Sequence, residues 1–137
     1  MIVFFAHCNP QRMIIHKPSF SADLTLSKIP PYLVLTVCAV AAPLSKAVAS
    51  KASHPRLAGV PFFQQALSLM FDNSGRLLCE PTVSTAQALC LLEMHEIAAS
   101  HSWTRHFRYF GACFWADGGR SIVFRRHGVI KITSCSP

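Results

Sequence analysis

A chain of 137 residues is long enough for one domain with one ordinary core. With 51% hydrophobic and only 14% charged residues, it is too apolar and too weakly charged to be disordered over most of its length. The 13 Lys and Arg against 6 Asp and Glu give a net charge of +7, which permits nucleic acid, an anionic membrane or an acidic protein as partner and selects none of them.

Residues 1–8 are apolar and aromatic, and Asn9-Pro10 ends whatever they form. A short apolar run, Met13-Ile14-Ile15, is closed by Lys17-Pro18. Pro30-Pro31 is a boundary, and Pro31 suits the first turn of a helix that runs apolar to Ala42. Pro43 must kink or end that helix, because it removes a donor and clashes with the preceding turn. Residues 45–53 can resume as a polar, Ala-rich helix, and His54-Pro55 and Gly59-Val60-Pro61 bracket a connector. Residues 62–70 read as an amphipathic helix, with Phe62, Phe63, Ala66, Leu67, Leu69 and Met70 at three- and four-residue steps. Asn73-Ser74-Gly75 signals a turn, with a possible helical restart through Leu77-Leu78.

Ser84-Thr85-Ala86-Gln87 fits the capping box, in which Ser84 accepts from the Gln87 amide and Gln87 reaches back. Behind it, residues 88–99 are apolar nearly all round, so this helix should be buried on most sides, with Leu89 and Leu92 as anchors. Residues 103–110 give another helix, with Trp103, Phe107 and Phe110 on one face. After Phe110 four of the six glycines appear, together with two β-type runs, Ile122-Val123-Phe124 and Val129-Ile130-Lys131-Ile132. The expected fold is therefore all-α, a helical bundle or array over residues 1–110, with an irregular or β-like C-terminal tail over 111–137.

No constellation for catalysis or metal binding emerges. The six cysteines form no C-x-x-C pair, which leaves zinc fingers, ribbons and thioredoxin-type sites unsupported. They read as free, mostly buried thiols in a reducing compartment. The start of the chain lacks the basic region of a secretory signal. His95-Glu96 and His101 miss the H-E-x-x-H spacing. The second histidine lies six residues on, about 240° round an ideal helix, so the pair reads as partly buried polar residues at a helix end. His7, Cys8 and His16 supply too few metal donors. Cys90 and His95, five apart, do not face each other as nucleophile and base. No two of the six acids have general acid/base spacing. Arg105, His106 and Arg108 interleave with aromatics, but no nucleic-acid recognition element accompanies them. The longest apolar stretch, residues 32–44, is shorter than the ~20 residues a membrane span needs.

Four segments, in order, resemble the fungal-specific transcription factor domain, the middle homology region of zinc-cluster regulators of the xylanolytic-activator type. They are Phe4-Phe5-Ala6-His7-Cys8-Asn9-Pro10 running on to Ile14-Ile15-His16-Lys17-Pro18-Ser19-Phe20; Pro30-Pro31-Tyr32-Leu33-Val34-Leu35 with Cys38-Ala39-Val40-Ala41-Ala42-Pro43; Pro55-Arg56-Leu57-Ala58-Gly59 with Phe62-Phe63-Gln64-Gln65-Ala66; and Pro81-Thr82-Val83-Ser84-Thr85-Ala86-Gln87-Ala88-Leu89-Cys90-Leu91-Leu92. They cover about residues 4–110.

The resemblance implies the N-terminal part of a helical regulatory domain in a nuclear transcriptional regulator. Such a domain acts through protein contacts, with the transcription machinery or the rest of a larger regulator, or through a small-molecule inducer. It implies no catalytic residue, no cofactor in this chain and no direct contact with nucleic acid or membrane. The family's six-cysteine zinc cluster, its DNA-binding element, has no counterpart in the cysteine spacing here. The residues that carry the motif are structural: His16, Pro18 and Phe20 fix the N-terminal loop, while Ser84, Gln87, Leu89 and Leu92 belong to the key helix. The tail departs from the family pattern, as in a truncated or mis-spliced gene model. Residues 1–110 carry a net +4 and residues 111–137 a net +3, so the excess charge is scattered and argues poorly for DNA contact. The alternatives are a small basic membrane-associated protein and a non-functional truncated product.

Overall fold

The computed structural model of the chain describes residues 2–9, 14–100, 120–124 and 130–134. The described elements begin with a wide, π-helical turn at Phe4–Cys8. They continue with α1 (Lys17–Thr25), α2 (Pro31–Ala41), a 3-10 turn (Ala42–Leu44), the short α3 (Lys46–Ala49), a second 3-10 turn (Pro55–Leu57), α4 (Val60–Met70) and α5 (Val83–Ser100). Two strands follow, β1 (Arg120–Phe124) and β2 (Ile130–Ser134), paired antiparallel with Ile122 opposite Ile132. The domain is thus helical and the β-type runs of the tail form strands, as the composition shift at its glycines implies.

The core is built on α2, which packs against α4, α5 and the Phe4–Cys8 turn. Proline sets both of its ends. Pro31 occupies the first turn, where its missing amide costs nothing, and the helix gives way to a 3-10 turn that holds Pro43. Leu33, Thr36, Val37, Ala39 and Ala41 are buried on α2. The Thr36 hydroxyl satisfies itself locally by donating to the Leu33 carbonyl at 2.8 Å. Facing α2 are Phe63, Ala66 and Met70 of α4 and Ala88, Leu89, Leu91 and Leu92 of α5. Each large side chain sealed here contributes about 1.5–3 kcal/mol relative to exposure. The buried alanines at 39, 66, 86 and 88 let the helices approach closely.

Several local expectations need correction. Helix resumes after Ser45 only over Lys46–Ala49. Leu77 does not restart a helix. It bridges back to Phe71, and the Leu78 amide donates to the Met70 carbonyl at 2.8 Å. The turn between them is organised by Asp72, whose Oδ1 accepts from Ser74 N (2.9 Å), Ser74 Oγ (2.6 Å) and Arg76 N (2.8 Å). Those bonds, led by the Ser74 hydroxyl, hold the carboxyl below its usual pKa. Gly75, at φ +80°, supplies the left-handed residue the turn requires. The helix expected over residues 103–110 lies outside the described residues, as do the domain boundary at 110, His101, Cys113 and Cys135.

Candidate functional site

The N-terminal segment, α1 and the first turn of α5 meet at one place, and buried polar groups hold them there. Asn9 closes the Phe4–Cys8 turn, its amide donating to the Phe4 carbonyl at 3.1 Å. Its side chain is buried and doubly used. Nδ2 donates to the Ile15 carbonyl at 2.7 Å, and Oδ1 accepts from the Ile14 and Ile15 amides, both at 3.3 Å. The chain is thereby folded back so that Ile15 enters the core. From the other side Gln87 Nε2 donates to the Ile14 carbonyl at 2.8 Å. Asn9 reads in the sequence as a breaker, yet it is the staple of this loop. The signal that could have found it is an Asx residue before a Pro and a short apolar run.

The capping box therefore needs correction. Gln87 does not reach back along its own helix, and Ser84 is not the cap. Thr82 is: its carbonyl accepts the first helical bond, from Ala86 at 3.0 Å, and its Oγ1 accepts from the Thr85 amide at 3.2 Å. The Thr85 hydroxyl, fully buried, donates to the Glu80 carbonyl at 2.6 Å. It is met by the Thr82 hydroxyl at 3.0 Å and the Tyr32 hydroxyl at 3.1 Å, which tie the start of α5 to α2. Since the single Thr85 proton goes to Glu80, the other two hydroxyls donate to it.

On α1, His16 is the N-cap residue, with Nδ1 2.8 Å from Ser19 Oγ, and Pro18 lies exposed in the first turn. Phe20 is buried, its ring edge-on to Phe5 at 5.7 Å, and Phe5 is edge-on to Phe4 at 5.2 Å. The helix ends in a Schellman motif. Ser27 takes φ +53°, its amide donating to the Leu24 carbonyl at 3.1 Å, and the Lys28 amide donates to the Asp23 carbonyl at 2.9 Å. Between α1 and α5 this leaves a cleft of about 230 Å³. His16, Phe20, Ser84 and Gln87 all line it, and Asp23 and Lys28, which the sequence did not single out, line its rim. Leu89 and Leu92 lie instead in the α2-facing core, 2% and 0% exposed.

A second polar feature sits at the far end of α5. His95, 3% exposed, stacks on Phe63 with centroids 4.6 Å apart and planes 21° apart. Neither ring nitrogen has a hydrogen-bond partner among the described residues. Burial pushes this imidazole below the usual histidine pKa. It fits only because residue 59 is glycine: a Cβ there would lie 2.7 Å from His95 Nε2 and would strike the Ala39 carbonyl oxygen. His95 and Glu96, expected to be partly buried, are both buried. Burial likewise raises the thiol pKa of Cys8, Cys38 and Cys79, which disfavours thiolate chemistry. Among the described residues no group of His, Cys, Asp and Glu is arranged to hold a metal ion.

The model of the fungal specific transcription factor domain matches residues 1–116. The chain belongs to that family. It is 35% identical over 95 residues to a transcriptional regulatory protein of Schizosaccharomyces pombe, an alignment covering 69% of this chain and 9% of that protein. It is also 32% identical over 115 residues to the Zn(2)-C6 fungal-type transcription factor FTF1c of Fusarium oxysporum, covering 83% of this chain and 10% of the relative. The Zn(2)-C6 fungal-type transcription factor FTF2 of the same organism is 32% identical over 126 residues, covering 88% and 10%. The chain thus spans about a tenth of the length of these relatives. No solved structure matches it.

Proposed function

We propose that this chain works in the nucleus as a helical regulatory segment of a fungal transcriptional regulator, controlling DNA-templated transcription through protein contacts. The family match over residues 1–116 carries this reading. The relatives' names, all of them transcription factors or transcriptional regulators, support it. DNA binding is not assigned to this chain, because the zinc cluster has no counterpart in its cysteine spacing and its basic residues are scattered. No zinc or other cofactor and no catalytic role are assigned either. No helix among the described residues is long and apolar enough to cross a membrane.

The test is a fusion of the full chain to an unrelated DNA-binding domain beside a reporter in a fungal cell. A change in reporter output that is lost on Leu89→Asp supports regulation by protein contact. Unchanged output, or retardation of DNA by the chain alone, rejects it.

A further inference from the structure

We infer that the cleft between α1 and the first turn of α5 binds a small aliphatic zwitterion, a molecule with one ammonium, one carboxylate and a branched hydrocarbon body. Its floor is apolar: Phe20, Ile29 and Leu33 line it. Its rim carries one charge of each sign. Asp23 and Lys28 are held side by side by the Schellman turn, since the Lys28 amide binds the Asp23 carbonyl at 2.9 Å. Neither charged group is ion-paired among the described residues, although both face the same cleft. Two opposite charges over one apolar floor match a ligand with two opposite heads. A purely apolar ligand would leave both charges idle, and a simple anion would meet Asp23.

The first turn of α5 adds a direction. Ser84 lines the cleft, and Thr82 Oγ1 accepts from the Thr85 amide, so among the described residues the Val83 and Ser84 amides at the positive end of this 18-residue helix are left for a carboxylate. The carboxylate is thus placed toward Ser84 and Lys28, the ammonium toward Asp23 and the hydrocarbon on Phe20 and Leu33. The cleft, about 230 Å³, has room for a molecule of leucine's size. Any effect of such a ligand on transcription rests on the regulatory reading above, but the binding does not, so the two can fail separately.

The experiment is calorimetric titration of the full chain with L-leucine, with isoamylamine (ammonium only) and with 4-methylvalerate (carboxylate only). Leucine should bind saturably, and both single-headed analogues at least tenfold more weakly. Asp23→Asn and Lys28→Met should each weaken leucine at least tenfold. Both side chains are exposed, and the α1 cap uses only their backbones, so these variants keep the fold. Absence of saturable leucine binding overturns the proposal. So does an analogue that binds as tightly as leucine, or a variant pair that binds like the parent.

Discussion

The two ends of α5 treat buried polar groups in opposite ways. At its start, the Thr85 hydroxyl is fully buried and has three oxygen neighbours within 3.1 Å, while Gln87 spends its amide on the Ile14 carbonyl. At its other end, His95 is as deeply buried, yet both ring nitrogens lack hydrogen-bond partners among the described residues. The first arrangement fixes which segments meet. The second is tolerable only while the ring is neutral and flat against Phe63, because a buried cation without a partner is far more costly than a buried neutral ring. One helix therefore has a polar end that specifies and an end that packs on condition.

Both ends depend on the apolar middle, so the largest effect comes from breaking it. Leu89→Asp places an uncompensated charge where exposure is 2%, and should cost about 4 kcal/mol or more and abolish helical circular dichroism. Unchanged helicity and thermal midpoint would refute the packing described here. Gly59→Ala attacks the histidine end alone. Its methyl must displace the His95 ring and the Ala39 backbone, at about 2 kcal/mol by chemical unfolding. A neutral result would mean that the junction yields freely.

The capped end is sharpened by a pair of variants. Thr82→Ala should cost about 1 kcal/mol and Ser84→Ala under about 0.5 kcal/mol in the same unfolding assay. The reverse order would restore the capping box. The smallest effect is the pH dependence of His95. Its folded pKa lies below the unfolded value of about 6.5, so the unfolded chain takes up a proton that the folded chain refuses. Stability intact above that value should fall as pH drops through 6.5 toward the folded pKa, and His95→Phe should flatten this slope. A parent and variant with parallel pH profiles would show that the ring is not titrating from a buried site.

Much of this was legible in the sequence, for identifiable reasons. Pro31 and Pro43 bound α2 because proline acts on the backbone whatever surrounds it. The β-type runs near Ile122 and Ile132 do pair. The capping box failed because T-x-x-T and S-x-x-Q overlap, and only a carbonyl 73 residues away decides what Gln87 does. The roles of Asn9 and His95 escape local sequence for the same reason, since non-local neighbours set them. The cleft was half visible. His16, Phe20, Ser84 and Gln87 stood out through the family resemblance, whereas Asp23 and Lys28 join it only through the left-handed turn at Ser27, which local sequence does not announce without a glycine.

Gly59 has a mechanical consequence. α4 begins one residue after it, the Ala39 carbonyl of α2 presses on it, and the His95 ring of α5 fills the space where its side chain would be. One missing carbon atom works as a keyway for three helices, stopping each from sliding or turning against the others. Phase is fixed at that point and not by the connector before it. Length changes in the exposed stretch around Lys51 and Ser53 can therefore be absorbed without disturbing the bundle, whereas a single residue inserted between Gly59 and Phe63 would throw α4 out of step with both neighbours.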